Sequence, residues 1–432
     1  MTSAAPQQAV VWRAVIPGAG TLLLASATGG MSGDIFNLYL TDTLGYDPKV
    51  LTWIYLSMLL SIPVQLMAPR LADRFGYRRI MVAGAVLCLP ALVLLMFARP
   101  LREVQAGPDR MLQELSLVAA AVLVEIAFSI SFGSVWSAWI ARFSDRANRP
   151  VFLATLSVAA QGVMATTFLC QTVFFAGAVT TTFYHGVLLA IAVYLVGAVL
   201  VFITLPPPDE PADGESRAPR ISWVAWWRRP VNRFIAISEA LQFLVGVPLL
   251  SVYLVVVLEY PTYLVSIALV ARTLASLSLT LAVGRMIRAR GSERIISRAS
   301  VFIAVVLALW FLLPHYDGNP LLLAAVVLLV PALQLGKAAL GICISDIQYE
   351  LVPAAERIQA FTMTDLVSSS AMQVCAMLAA LVISAAGKGP LFLHIDLAQV
   401  WIGVGVIVAV YLGATYKSHV RALPHGEVTR VD

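Results

Sequence analysis

Six ionisable side chains sit in stretches that are otherwise almost wholly apolar: Asp34, Glu125, Glu239, Arg272, Lys337 and Asp365. An ionised group at the centre of a bilayer costs roughly 2.5–3.5 kcal/mol on insertion scales, so the default expectation for such a residue is a functional one. A carboxyl group held away from water can exchange protons near neutral pH, which is the chemistry that proton coupling needs. Asp34 and Glu125 are the proton-coupling candidates, because no basic residue accompanies them in the apolar stretches of their half. Arg272, Lys337 and Asp365 are candidates for structural charge pairs. Asp365 or Glu239 is the partner expected for Arg272, and Lys337 and Asp365 are placed to pair with each other. Losing one member of such a pair strands a charge at a cost of several kcal/mol.

Periodicity adds neutral residues to these charges. Gly30, Asp34, Asn37 and Thr41 fall on one narrow polar stripe at helical spacing. Gly29, Gly30 and Gly33 allow close approach or local unwinding there. Asp34 lies toward the end of its run, so a hydrated cap is the plainer reading. Glu125, Phe128, Ser129, Phe132, Trp136 and Trp139 form a second stripe, an acid heading a row of aromatics. Such a face can take a flat or cationic organic molecule by stacking, or it can pack between helices. Glu239, Gln242 and Gly246 share a third face, although Glu239 is close enough to Arg233 to reach the surface. The substrate-binding candidates are therefore Asn37, Ser129, Phe132, Trp136, Glu239, Gln242 and Lys337.

The elements that must position these residues follow from composition. Of 432 residues, 60% are hydrophobic and 12% charged, with a mean hydropathy of +0.86. Soluble domains carry roughly 25% charged residues, so this chain has too little polar surface to cover a globule. Apolar runs of about 20 residues, continuous and not alternating, are membrane helices and not barrel strands. Twelve are expected. Spans 1 to 6 cover Ala14–Leu40, Val50–Met67, Ile80–Ala98, Ser116–Ile140, Val151–Ala176 and Gly186–Leu205. Spans 7 to 12 cover Phe234–Leu258, Thr262–Ile287, Ala299–Leu313, Leu321–Ser345, Gln359–Ala385 and Leu397–Tyr416. The fold class expected is an all-α polytopic membrane protein.

Lys and Arg set the orientation. With the N-terminus inside, 22 of the 29 lie in inner segments and 5 in outer loops. Both termini are thus expected in the cytoplasm, with the chain in the cytoplasmic membrane. No cleavable signal pattern precedes span 1. The net charge of +5 reads as topology and not as a nucleic-acid patch. The four cysteines lie in apolar runs without paired spacing, so no disulfide framework is expected. Residues 206–233 form a linker that opens on Pro206-Pro207-Pro208, which cannot extend span 6. Its end, Ile221–Arg229, sets Trp223, Trp226 and Trp227 beside Arg228 and Arg229. That pattern suits a helix in the headgroup layer, or an aromatic start to span 7. The units expected are 1–205, the linker 206–233, 234–418 and a tail 419–432.

Two basic turns recur at about half the chain length. Asp73, Arg74, Gly76, Arg78 and Arg79 follow span 2, and Gly284, Arg285, Arg288, Arg290 and Gly291 follow span 8. Recurrence at half-length points to related halves. A weaker echo links Ala147-Asn148-Arg149 to Ala355-Glu356-Arg357. Gly76 permits a tight turn, and Asp73 can cap the orphan amides of a helix end while Arg74 holds it. Twelve spans, a basic midpoint linker and this turn resemble the major facilitator superfamily across the whole chain. The departures are Pro69 in place of the motif's leading Gly and Arg288 in place of the acid in the second copy. The resemblance implies two pseudo-symmetric six-helix bundles, a cavity lined by spans 1, 4, 7 and 10, and spans 3, 6, 9 and 12 outside. It also implies that Asp73, Arg74, Gly76 and Arg78 act as a conformational latch.

The function expected is a secondary active transporter for a small organic solute, working by alternating access, with protons as the coupling ion. It would act as a monomer with no cofactor and no metal. A passive facilitator and a lipid or amphiphile transporter are the alternatives on the same fold. A membrane enzyme needs a nucleophile or metal constellation. The five histidines all lie in loops, span ends or the tail, no His has an acid four or five residues on, and no Gly-x-Ser-x-Gly or Gly-rich phosphate loop occurs. Span 5 has Gly162 and no Pro, unlike the Gly-Pro-rich motif of drug exporters in the family.

Overall fold

The computed structural model describes residues 33–104, 107–131, 149–204, 223–229, 232–238, 249–290, 292–313, 317–351, 357–386 and 397–420. Every regular element among them is helical. Lys49–Ala68, Arg78–Met96, Arg294–Phe311, Pro320–Ile344 and Thr362–Ala385 are long and apolar enough to cross a membrane. Gly162–Phe175, Thr181–Gly197, Thr262–Ser278 and Gln399–Tyr411 are shorter apolar helices.

Several helices overrun the apolar stretch that marks them. Span 4 begins at Pro108 and not at Ser116, its first turns carrying the Arg110–Glu114 pair at 3.0 Å. Span 10 runs Pro320–Leu351, and span 9 starts at Ser292. Hydropathy marks only the part of a helix in hydrocarbon, so polar end turns escape it. Pro90 and Pro331 sit inside span 3 and span 10 without ending either helix.

The turn after span 2 has the form its sequence suggests. Gly76 lies between helices Ile62–Phe75 and Tyr77–Met96 with φ 86° and ψ 142°. A Cβ there would meet nothing within 4 Å, so glycine is required by backbone conformation and not by space. Arg74 is exposed and lies over the Phe75 ring at 5.2 Å.

A second repeat, stronger than the basic turns, appears at the ends of spans 1 and 7. Tyr39, Leu40, Leu44 and Tyr46 recur as Tyr253, Leu254, Leu258 and Tyr260, each 214 residues later. Tyr39–Thr43 and Tyr253–Val257 are both π-helical turns. Leu44 N–H donates to Tyr39 O at 2.9 Å, and Leu258 N–H to Tyr253 O at 3.1 Å. Tyr46 and Tyr260 close the turns on Leu40 O and Leu254 O, each at 2.9 Å. Gly45 and Glu259, between them, both take positive φ, 75° and 58°. Matching local geometry in two distant segments is what duplicated halves produce.

Helices from the two halves pack directly against each other. Span 8 lies along span 5, and span 11 along span 2. Spans 3, 6, 9 and 12 expose apolar faces, including Val93, Leu200, Val305 and Ile407. Lipid suits such faces. The linker helix Trp223–Arg228 differs from a flat headgroup helix. Trp226 is 1% exposed and packs with Ala236 and Ala360, while Val224 and Trp227 point outward. One tryptophan thus docks the linker onto spans 7 and 11.

Candidate functional site

The described part of span 1 opens on its acid. Gly33 is extended, with φ −87° and ψ 153°, and Asp34 opens the short helix Asp34–Leu38. The Asp34 carboxylate faces the other half. Its Oδ2 pairs with Arg272 Nη2 at 2.8 Å, and its Oδ1 accepts from Ser251 Oγ at 2.8 Å. Both charged side chains are largely buried, at 17% and 16% exposure. The Arg272 guanidinium also lies 5.7 Å from the Phe168 ring centroid of span 5, a cation–π distance. Arg272 is therefore partnered by the acid of span 1; Glu239 and the Asp365 side chain, the partners expected for it, lie outside the described residues. Asp34 likewise has a cation beside it, supplied by the opposite half. Partners 238 residues apart leave no periodic trace.

Lys337, on span 10, lies within electrostatic reach of Arg272 and Asp34. Gly336 beside it sits so close to span 9 that a Cβ would come 2.5 Å from Ile303, which fixes the rotation of span 10 at that level.

Glu125, on span 4, is 9% exposed and accepts from Gln373 Nε2 of span 11 at 2.8 Å. Gln373 is fully buried, and its Oε1 has no partner among the described residues. A search for ionisable residues passes over Gln373 and Ser251 because neither is charged. A search for buried polar residues facing an acid finds both. Tyr55 of span 2 lies within electrostatic reach of both Asp34 and Glu125, and its hydroxyl donates to Asn37 Oδ1 at 3.0 Å. Asn37 is 1% exposed, and Thr41 Oγ1 donates to its backbone O at 2.9 Å. This stripe of span 1 is thus held against span 2 at Asn37, while Asp34 reaches the second half.

Phe132, Trp136, Glu239 and Gln242 lie outside the described residues, as do the side chains of Asp73, Ser129 and Asp365. The described site therefore joins Asp34, Arg272 and Lys337 in one cluster and Glu125 with Gln373 in another, each pair crossing between the halves.

The halves also meet at one end of the bundle. Thr172 Oγ1 of span 5 and Ser266 Oγ of span 8 are 3.0 Å apart. Ser384 Oγ of span 11 donates to Asp47 Oδ1 at 3.2 Å. Gly177 follows span 5 with φ 80°, and a Cβ on it would lie 2.7 Å from Tyr263 N and 2.8 Å from Ser266 Oγ. Gln171 locks this turn: its Nε2 donates to Gly177 O at 2.7 Å and its backbone O accepts from Gly177 N–H at 3.0 Å. These contacts all lie on the face that carries the 1–2, 5–6, 7–8 and 11–12 connections.

Comparison with known proteins agrees with this architecture. A D-xylose-proton symporter structure superposes with a TM-score of 0.70 at 14% identity, over 96% of this chain and 98% of that one. A bacterial homologue of the iron transporter ferroportin, in an outward-facing state, gives 0.66 at 14% identity, over 96% and 99%. The nucleoside transporter NupG gives 0.62 at 13% identity, over 96% and 100%. At these identities the likeness shows the fold. No curated protein sequence matches the chain. The family model for the Major Facilitator Superfamily matches residues 19–374, most of the chain. A multi-pass helical bundle with duplicated halves, and a family match of that extent, make this chain a transporter and not an enzyme: it belongs to the major facilitator superfamily.

Proposed function

We propose that the protein is a proton-coupled secondary transporter that moves a small organic solute across the cytoplasmic membrane by alternating access. The observation that carries this reading is that buried or largely buried polar contacts, Asp34 with Arg272 and Ser251 and Glu125 with Gln373, join the two halves. Units 1–205 and 234–418 are the moving bodies, with the linker 206–233 between them and the Lys/Arg-rich connections in the cytoplasm. In that orientation the contacts Thr172–Ser266, Asp47–Ser384 and Gly177–Tyr263 close the outer face. Opening that face requires them to part. Asp73, Arg74, Gly76 and Arg78 form the latch of the opposite, inner face.

Glu125 is the proton site. Its partner is a neutral amide, and Gln373 can serve either form of the acid. The amide N–H donates to a carboxylate, and the free amide oxygen accepts from a protonated carboxyl after the amide turns. Asp34 is instead engaged by a cation and a hydroxyl, and it ties span 1 to span 8. A neighbouring fold is named for proton symport, which supports a proton as the coupling ion.

The test is solute uptake into proteoliposomes under an imposed pH gradient. Wild-type protein accumulates solute in step with the gradient, and Glu125→Gln equilibrates it without accumulation. Accumulation by Glu125→Gln equal to wild type would remove the coupling and leave a passive facilitator.

A further inference from the structure

Among the described residues, the cluster at spans 1, 8 and 10 holds two cations, Arg272 and Lys337, and one acid, Asp34. Asp34 and Arg272 cancel across a 2.8 Å contact. Lys337 adds a second cation within electrostatic reach of that pair, and it has no hydrogen-bond or ion-pair partner among the described residues. Glu125 is not among the charges that act on Lys337. A cation taken from water without a counter-charge is costly, and chains keep such groups where a ligand completes them. Arg272 spends one nitrogen on Asp34 and lays its plane near Phe168, which leaves other N–H donors of its fork for a second acceptor. The rotation of span 10 is fixed by the close approach of Gly336 to Ile303, so Lys337 cannot turn away cheaply.

We infer that the transported solute is an organic anion whose carboxylate or phosphate oxygens are received jointly by Lys337 Nζ and the free N–H groups of Arg272. This rests on the transporter reading and names the substrate class of the same site. Two neighbouring cationic donors of unlike geometry, one a point charge and one a planar fork, suit an oxyanion with several acceptor oxygens. A neutral solute leaves the positive charge uncompensated, and a cationic one adds to it.

The test uses the purified full-length protein and its thermal shift with paired probes. Benzoate, succinate and glycerol phosphate are compared with benzamide, succinamide and glycerol, and with choline as the cation. The expected result is stabilisation by one or more anions and not by the matched neutral compound. Lys337→Gln should weaken that binding by about tenfold or more, the scale of one charge-assisted contact, while Lys337→Arg retains most of it. The melting point of each apo variant separates lost binding from lost folding. Which anion binds distinguishes a carboxylate from a phosphate ester. The inference is overturned if no anion stabilises the protein, if neutral or cationic members match the anions, or if Lys337→Gln binds as wild type does. Proteoliposome flux separates the two readings. Lys337-dependent anion binding without flux would sink the transporter reading alone, and flux confined to neutral solutes would sink the anion assignment alone.

Discussion

Under the proposed mechanism, Gly177 is the described glycine where one added carbon most directly opposes closure of the face assigned to the outside. Its Cβ would lie 2.7 Å from Tyr263 N and 2.8 Å from Ser266 Oγ, and closer still to Tyr263 Cα. Ordinary carbon contacts are about 3.5–4.0 Å, so in Gly177→Ala the two halves must part by about 1 Å at this point. Forced overpacking of this kind costs roughly 1–3 kcal/mol. Parting also loosens the 3.0 Å Thr172–Ser266 hydrogen bond, worth about 0.5–1.5 kcal/mol. Both losses fall on the closed form alone. The positive φ adds about 1–2 kcal/mol for a non-glycine residue, but in both forms, so it lowers stability without shifting access. A differential near ~2 kcal/mol moves the equilibrium more than tenfold toward the outward-open form. Spin labels at Lys49→Cys and Thr262→Cys, on the outer ends of spans 2 and 8, report it in a background without the native cysteines. The distance distribution should shift to longer values in Gly177→Ala. Gly162→Ala is the control on the same helix, since a Cβ there meets nothing within 4 Å. An unchanged distribution in Gly177→Ala, or an equal shift in Gly162→Ala, would refute the reasoning.

Three further outcomes follow from the geometry. Arg272→Leu strands the Asp34 charge and should cost about 3–5 kcal/mol, and Asp34→Asn with Arg272→Leu together should recover much of it; a thermal-melt double-mutant cycle reads the difference, and additive losses would deny the contact. Gly76→Ala should cost about 1–3 kcal/mol from its φ of 86° and ψ of 142° and nothing from crowding, and Gly76→Asn should melt no higher than Gly76→Ala, because that backbone region lies outside the left-handed helical one that Asn tolerates. Gln373→Leu removes the amide that donates to Glu125 and should cost about 1–3 kcal/mol at pH values where Glu125 is ionised, with a smaller loss in Glu125→Gln protein; an equal loss in both backgrounds would deny the pairing.

The architecture is largely legible in the sequence, and the site only in part. Long apolar runs, and a 22-to-5 division of basic residues, are properties of single segments, so each span can be read by itself. The Gly76 turn is legible for the same reason, since a glycine among basic residues between two helices has few other uses. Contacts between halves are a different matter. Asp34 and Arg272 each stand out as charges in apolar runs, yet their pairing depends on how two bundles sit together, which no local pattern records. Gln373 and Ser251 carry no charge and stand in no periodic stripe, so only the acids they face reveal them. The tyrosine-leucine repeat at 39–46 and 253–260 is present in the letters, but apolar residues recur easily by chance in a chain this hydrophobic. Trp226 shows the limit of composition: three tryptophans beside two arginines look interfacial, and one of them is buried against Ala236 and Ala360.

Alternating access requires spans 5 and 8 to separate at their outer ends in every cycle. Thr172 and Ser266 face each other there at 3.0 Å, close enough for a disulfide in the Thr172→Cys, Ser266→Cys variant. The decisive measurement is solute flux through that variant in proteoliposomes, oxidised and then reduced, with the native cysteines replaced. The proposed mechanism predicts that oxidation stops flux and that reduction restores it. Undiminished flux through fully cross-linked protein would contradict it.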